Sequence, residues 1–302
     1  MTEQNIKALQ ELGKLPGFRV SALLKHYQKQ AESGWEISEN AFGGIQGKCG
    51  NGGKRILLLF RYMPGGVMIT KQEKENMYLA SVLGNRKPEH LDGQICFCDN
   101  REVGILRREE KSGIKIEMFP EITPKPGEIY ELRNEIICKP NLLYTHDVSR
   151  IIPRYIVDSV VSTKEIYDKE IYFTLVNESI SSIGGYVEAV RRVKPEITLL
   201  FSVIPEQDTC KAGGGAVVVV KDGNAVVSEE VQAILEGASE DSVQRFVGKT
   251  DTVLEQISIA EGGGYFGEIG LPVKYAGSPC EEIFWDDVEK TRNLLLKTLW
   301  SL

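Results

Sequence analysis

The chain has 302 residues, with 36 Lys or Arg against 43 Asp or Glu, for a formal net charge of −7. Hydrophobic residues make up 42% and charged residues 26%, a globular composition that excludes a disordered or fibrous chain. The acidic balance, with no long Lys/Arg cluster, speaks against nucleic acid, and the longest apolar runs, Ile56–Phe60 and Ala216–Val220, are far short of the ~20 residues of a membrane span.

In chain order, residues 4–14 and 19–32 read as amphipathic helices parted by the breaker Leu15-Pro16-Gly17. The opening MTEQNIKALQELGK lacks the basic start and apolar run of a signal peptide, so a cytoplasmic location is expected. Trp35–Ser38, Gly44–Cys49 and Arg55–Phe60 read as strands, the last two joined by the tight-turn composition Gly50-Asn51-Gly52-Gly53. The segment GNGGKR is a hairpin and not a phosphate loop, because Arg55 replaces the Ser or Thr and a strand follows. From Met68 to Tyr144 short alternating segments (GQICFCDN, VGILRRE, GIKIEMF, GEIYELR) predict a small β-barrel or sandwich.

Strand-like and helix-like stretches then alternate: Ile171–Val176 a strand, Ser182–Val193 a helix, Ile197–Val203 and Ala216–Lys221 strands. Glu229–Glu236 and Val253–Ala260 follow as helices, Gly267–Leu271 as a strand and Asp286–Leu302 as a closing helix. The fold class expected is α/β: a three-layer, mainly parallel sheet with helices on both faces, because its strands are apolar throughout. Residues 1–67 and 146–302 would form this domain, interrupted by an all-β barrel at 68–145.

Six cysteines are spread along the chain without a CxxC pair, so neither a disulfide framework nor a zinc knuckle is supported. Alternation places Cys96 and Cys98 on one face of a strand, as ordinary packing. The three histidines, His26, His90 and His146, read as surface or capping residues.

Several segments together carry a resemblance. Lys14-Leu15-Pro16-Gly17 is similar to "ELPGVSG", Arg55–Ile69 to "VMIAAHMDEIGFMV" and Gln94–Arg108 to "GQ…GEIPGVIG". Ile156–Val161 is similar to "ALDNRVG", Phe173–Ser179 to "FTVQEEVG", Phe201–Thr209 to "VDVTPAGDT" and Leu271–Glu281 to "IPTRYIHSPSE". In this order they resemble the glutamyl aminopeptidase and endoglucanase-like family of di-zinc metallopeptidases, over nearly the whole chain. The resemblance implies a zinc-peptidase domain carrying a β-barrel used in homo-oligomer assembly.

It also implies where metal ligands would fall. Two zinc ions polarise a scissile carbonyl and acidify a water, and a carboxylate takes the proton. Carried over by motif, the first His falls on Arg61, its partner Asp on Met63, the base Glu on Asn177, another Asp on Ser202 and the closing His on Gly277. Only Asp158 and Glu178 keep a carboxylate at metal positions, and Lys249–Thr252 (KTDT) keeps Asp251, which is no ligand. A guanidinium stays protonated at any working pH, and Asn177 has no usable basicity. Two carboxylates do not hold a catalytic zinc in any usual geometry.

The site is therefore expected to be degraded, with no cofactor, and Arg61 is expected to hold Asp158 and Glu178 in an ion-paired cluster. The bland reading is that Arg61 points to solvent. Cys210 and Cys280 flank the inferred cleft without a base, and Gly213-Gly214-Gly215 and Gly262-Gly263-Gly264 read as loop glycines. The function expected is a non-hydrolytic binding, scaffolding or co-assembling subunit, a homo-oligomer through the barrel with a peptide in the cleft. The alternatives are an active zinc or cobalt aminopeptidase with a rearranged site using Asp208, Glu281 or Glu282, or another enzyme working without metal.

Overall fold

The computed structural model of the chain describes every residue except 33, 110–112, 133–134, 164–167, 240–242, 251–252 and 261–263. Two amphipathic helices come first. In α1 (Glu3–Lys14) the Thr2 hydroxyl caps the first turn, accepting from the Asn5 amide, and Leu9 and Leu12 are buried. Pro16 and Gly17 break the helix before α2 (Val20–Gln30), which buries Leu23 and Tyr27. A hairpin of β1 (Glu36–Glu39) and β2 (Ile45–Cys49) follows, and then β3 (Arg55–Tyr62).

The sequence of β3, RILLLFRY, is apolar at nearly every position because both of its faces are covered. Ile56, Leu58, Phe60 and Tyr62 join one apolar cluster, and Leu57 and Leu59 join the other. Alternation sends Arg61 to the side of Leu57 and Leu59.

Next, β4 (Gly66–Lys74), β5 (Met77–Leu83), β6 (Ile95–Cys98), β7 (Arg101–Glu109), β8 (Gly113–Met118) and β9 (Ile129–Leu132) close into a barrel in the order β4-β5-β8-β7-β6-β9. It encloses its own core of Val67, Ile69, Tyr78, Cys96, Leu106, Ile116 and neighbours. A register shift between Cys96 and Phe97 breaks the alternation, so Cys96 is buried and Cys98 exposed, against the single face expected for the pair.

The chain returns through β10 (Ile137–Cys138) and β11 (Leu142–Thr145) to α3 (Val148–Val161). Pro153 lies inside α3 and cannot donate to the Ser149 carbonyl. That carbonyl instead accepts the Met63 amide at 3.2 Å, which fastens the exit of β3 to the helix. The remaining elements are β12 (Glu170–Asn177), α4 (Glu178–Ser181), α5 (Gly184–Val193), β13 (Ile197–Pro205), β14 (Val217–Asp222), β15 (Ala225–Val226), α6 (Glu229–Ala238), β16 (Gln244–Gly248), α7 (Leu254–Ser258), β17 (Tyr265–Val273), β18 (Glu281–Phe284) and α8 (Trp285–Ser301).

Among the described residues the main sheet has nine strands, ordered β1-β2-β12-β3-β13-β17-β14-β15 with β16 also on β14. It is mixed, which corrects the mainly parallel sheet expected. The central strands β12, β3, β13 and β17 run parallel, while β2 pairs antiparallel with β12 and β14 antiparallel with β17. The flanking hairpins were each readable as strands, but nothing in their composition gives direction. Helices α1, α2, α3, α6 and α8 pack into one apolar cluster, and α5 and α7 into the other.

Gly47 shows how tightly the sheet is built. A Cβ there would enter the van der Waals surface of the Phe173 ring on the paired strand. Gly47→Ala is expected to cost about 2 kcal/mol of unfolding free energy by urea denaturation, because the buried ring must leave its rotamer.

Candidate functional site

Parallel strands present their carboxyl ends together, and here the ends of β3, β12 and β13 open into a cavity of about 1210 Å³ at the barrel's side. Its floor includes Arg61 and Met63 from β3 and Glu178 and Ser179 from the start of α4. Its walls come from Gly84, Asn85 and Lys87 after β5, from Ala276 and Gly277 before β18, and from Asp222, Lys249 and Glu255 across the cleft.

Arg61 and Glu178 form a two-pronged ion pair: Nε donates to Oε1 and Nη2 to Oε2, each at 3.0 Å. The pair is mostly buried, with side chains 14% and 8% exposed. The Tyr186 hydroxyl donates to Glu178 Oε1 at 2.8 Å. Burial works against the charge of Arg61, but Glu178, Tyr186 and the buried Glu268 outweigh it and hold the guanidinium firmly protonated. Glu268, on β17, accepts a hydrogen bond from Ser202 of β13. The bland reading of Arg61 as solvent-facing is thus corrected.

The expected partnership with Asp158 does not form. Asp158 lies near the end of α3, and both of its oxygens meet His26 Nε2 of α2, at 2.8 and 3.0 Å. Burial pushes its carboxyl up, against the pull of His26 and Arg154. The carboxylate at the head of α3 is Asp147, buried and held by Arg86 and by Arg150 Nε at 3.1 Å. Its signal was a lone Asp directly before the apolar spacing Val148, Ile151, Ile152, Tyr155, Ile156.

The other expected positions are placed as follows. Met63 lines the cavity. Asn177 and Ser202 are buried in their strands, 2% and 1% exposed, beneath the floor and not on it. Gly277 has φ +72°, and a Cβ would sit 3.0 Å from the Asn85 carbonyl oxygen, so no side chain fits there without backbone movement. Its amide donates to Glu281 Oε1 at 2.8 Å, and Glu281 Oε2 accepts from the Val148 amide at 3.0 Å. Glu282 is paired with Lys274 at 3.0 Å. The replacement ligands Glu281 and Glu282 are therefore committed elsewhere, and Asp208 is exposed outside the cavity lining.

This donor set does not fit a pair of metal ions. Both oxygens of Glu178 are taken by a permanent cation, Met63 and Gly277 offer no nitrogen or oxygen side chain, and Asp158 faces away toward α2. Among the described residues no three His, Cys, Asp or Glu side chains converge as a metal would require.

Lesser candidates resolve into structure. Gly213 and Gly215 donate their amides to buried Asp287 at 2.6 and 2.8 Å, which ties that loop to α8. Cys210 is buried, and burial pushes its thiol up to about 11, so it is no nucleophile. Asp251, Gly262 and Gly263 lie outside the described residues. His146, read as a surface residue, is 1% exposed, and neither ring nitrogen has a hydrogen-bond partner. His26 too is partly buried, its side chain 14% exposed and in contact with Asp158.

No family model matches the chain. A protein of Acetivibrio thermocellus, named provisionally as an aminopeptidase, is 22% identical over 299 residues, 87% of this chain and 88% of its own. The aminopeptidase of the archaeon Desulfurococcus kamchatkensis superposes with a TM-score of 0.82 at 16% identity, over 98% of this chain and 95% of that one. The TET1 peptidase of Pyrococcus horikoshii, which assembles into a tetrahedron or a large octahedral shell, gives 0.80 at 16%, over 98% and 99%.

The fold is that of the TET-type aminopeptidases. Similarity at this level extends to the architecture, mixed sheet and closed barrel together. No helix among the described residues is long and apolar enough to cross a membrane.

Proposed function

We propose that the chain is a non-hydrolytic protein of the aminopeptidase fold, which uses the cleft to bind peptide and assembles as a homo-oligomer. The observation that carries this reading is the Arg61–Glu178 fork at the cleft floor. Hydrolysis of a peptide bond at neutral pH needs an activated water and a group to take its proton. Glu178 has both oxygens on Arg61, and the position the resemblance gives to the base carries Asn177, 2% exposed with its Oδ1 unbonded. The cleft keeps the size for several residues of a peptide, and its amide side chains, Asn85, Gln207, Asn224 and Gln256, suit peptide groups. Assembly is supported by the shells of the TET1 peptidase, whose architecture this chain shares end to end.

Protein purified without a metal-affinity step and dialysed against excess zinc or cobalt should retain less than about 0.2 metal per chain. It should leave aminoacyl anilides and free-amine peptides intact over hours. Two metals per chain with chelator-sensitive cleavage would restore the peptidase reading; light scattering at micromolar concentration should give a mass several times 33.7 kDa.

A further inference from the structure

Each carboxylate lining the cleft is already supplied with donors. Glu178 takes Arg61 and Tyr186. Asp222 accepts from the Thr250 amide at 2.7 Å and from the Thr250 hydroxyl. Glu255, the least engaged, accepts from the Asn224 amide group at 3.3 Å. The cations are not balanced in the same way. Lys87 on the barrel side and Lys249 across the cleft are both exposed, line the same cavity and make no ion pair among the described residues. Glu178 is paired with Arg61 and Asp222 is 2% exposed, so the lining charges open to a ligand are two ammonium groups, Lys87 and Lys249, and one carboxylate, Glu255, a balance that favours an entering carboxylate over a free α-ammonium.

Beside the mouth lies an apolar shelf. Ile183 lines the cavity, and Ile180 and Phe42 flank it; the three are 40%, 49% and 41% exposed. Phe42 reaches across from the β1–β2 turn to lie against Gly184, where a Cβ would be 3.0 Å from its ring. Apolar side chains this exposed, two on one short segment and the third against the residue that follows it, fit an apolar ligand segment. The shelf is continuous with the cavity through Ile183.

We infer that the cleft binds the C-terminal end of an apolar peptide, its terminal carboxylate held by Lys87 and Lys249 and its side chains laid on Ile183, Ile180 and Phe42. This rests on the non-hydrolytic reading above and adds polarity to it: the peptide is read from its carboxyl end, with no requirement for a free amine.

The test uses the full-length protein and fluorescein-labelled hexapeptides ending in leucine, blocked at the amino end by the label, as free acids and as carboxamides. Fluorescence anisotropy at 50 mM salt should show the free acid binding at least tenfold tighter than the carboxamide, with the gap narrowing at 500 mM salt. Lys87→Gln with Lys249→Gln should remove the gap and leave the melting temperature unchanged, since both side chains are exposed. Ile183→Ser should weaken acid and amide alike.

Equal binding of acid and amide, no binding of either, or a Lys87/Lys249 double variant that keeps the gap would overturn the inference. Unlabelled free-amine peptides of the same sequence, incubated in parallel and weighed by mass spectrometry, report on the other reading alone. If they are shortened, the non-hydrolytic assignment fails whatever the anisotropy shows.

Discussion

Arg61→Ala is expected to lower the unfolding free energy by about 3–5 kcal/mol at neutral pH, measured by urea denaturation. The reason is the asymmetry of buried ion pairs. A matched pair adds little over an apolar replacement, but removing one partner strands the other in a medium that solvates it poorly. Without the guanidinium, Glu178 keeps the Tyr186 hydroxyl among the described residues, and Glu268 loses the field of a nearby cation. Adding Glu178→Gln to Arg61→Ala removes one of the two stranded charges and should return about 1–2 kcal/mol. A loss below about 1 kcal/mol for the single variant would mean that water, and not Arg61, solvates these carboxylates.

The second large effect is acid sensitivity from His146. Burial first, and then the field of Arg86, lowers its pKa from 6.5 to about 4 in the folded chain, Asp147 opposing. The sign follows from proton counting. Between pH 6.5 and 4 the unfolded chain binds a proton at His146 and the folded chain does not, so stability falls as the pH falls. The full shift corresponds to about 3 kcal/mol.

Asp158, Glu281 and Asp287 act in the opposite sense. Burial raises each of them, so the folded chain holds their protons to higher pH and their share of stability falls as the pH rises. These groups are common to parent and variant and cancel in a difference. His146→Leu removes two buried nitrogens that have no partner, so at pH 7 it should lie within about 1 kcal/mol of the parent. By pH 4 it should be the more stable protein by about 3 kcal/mol relative to that starting difference. Parallel pH profiles would show that His146 is protonated in the folded chain.

The architecture was legible where the residues leave no alternative. A strand written RILLLFRY can only be central, and its parity alone sends Arg61 toward the α5 side of the sheet. The barrel showed itself as a run of short alternating segments. The site was legible for Glu178, which directly follows a strand whose register against β3 is fixed over eight residue pairs. The expected partnership of Asp158 with Arg61 was not legible, because Asp158 lies near the end of a helix that packs beside α2, where His26 meets it first. Glu268 was missed although it stands as a lone carboxylate in the apolar run of β17, where a buried charge needs a partner across the sheet.

The conformation of Gly277 has a bearing on chemistry. A histidine placed at that position would put a Cβ 3.0 Å from the Asn85 carbonyl on a backbone already turned to φ +72°. The obstacle sits in the connection between barrel strands β5 and β6, nearly two hundred positions earlier in the chain. Building such a site here would mean moving that loop, displacing Arg61 from Glu178 and replacing Met63 together, and no one of these steps alone yields a metal ligand set. A di-metal ligand set is thus out of reach of any single substitution at these positions, because the loop, the ion pair and the side chains would have to change together.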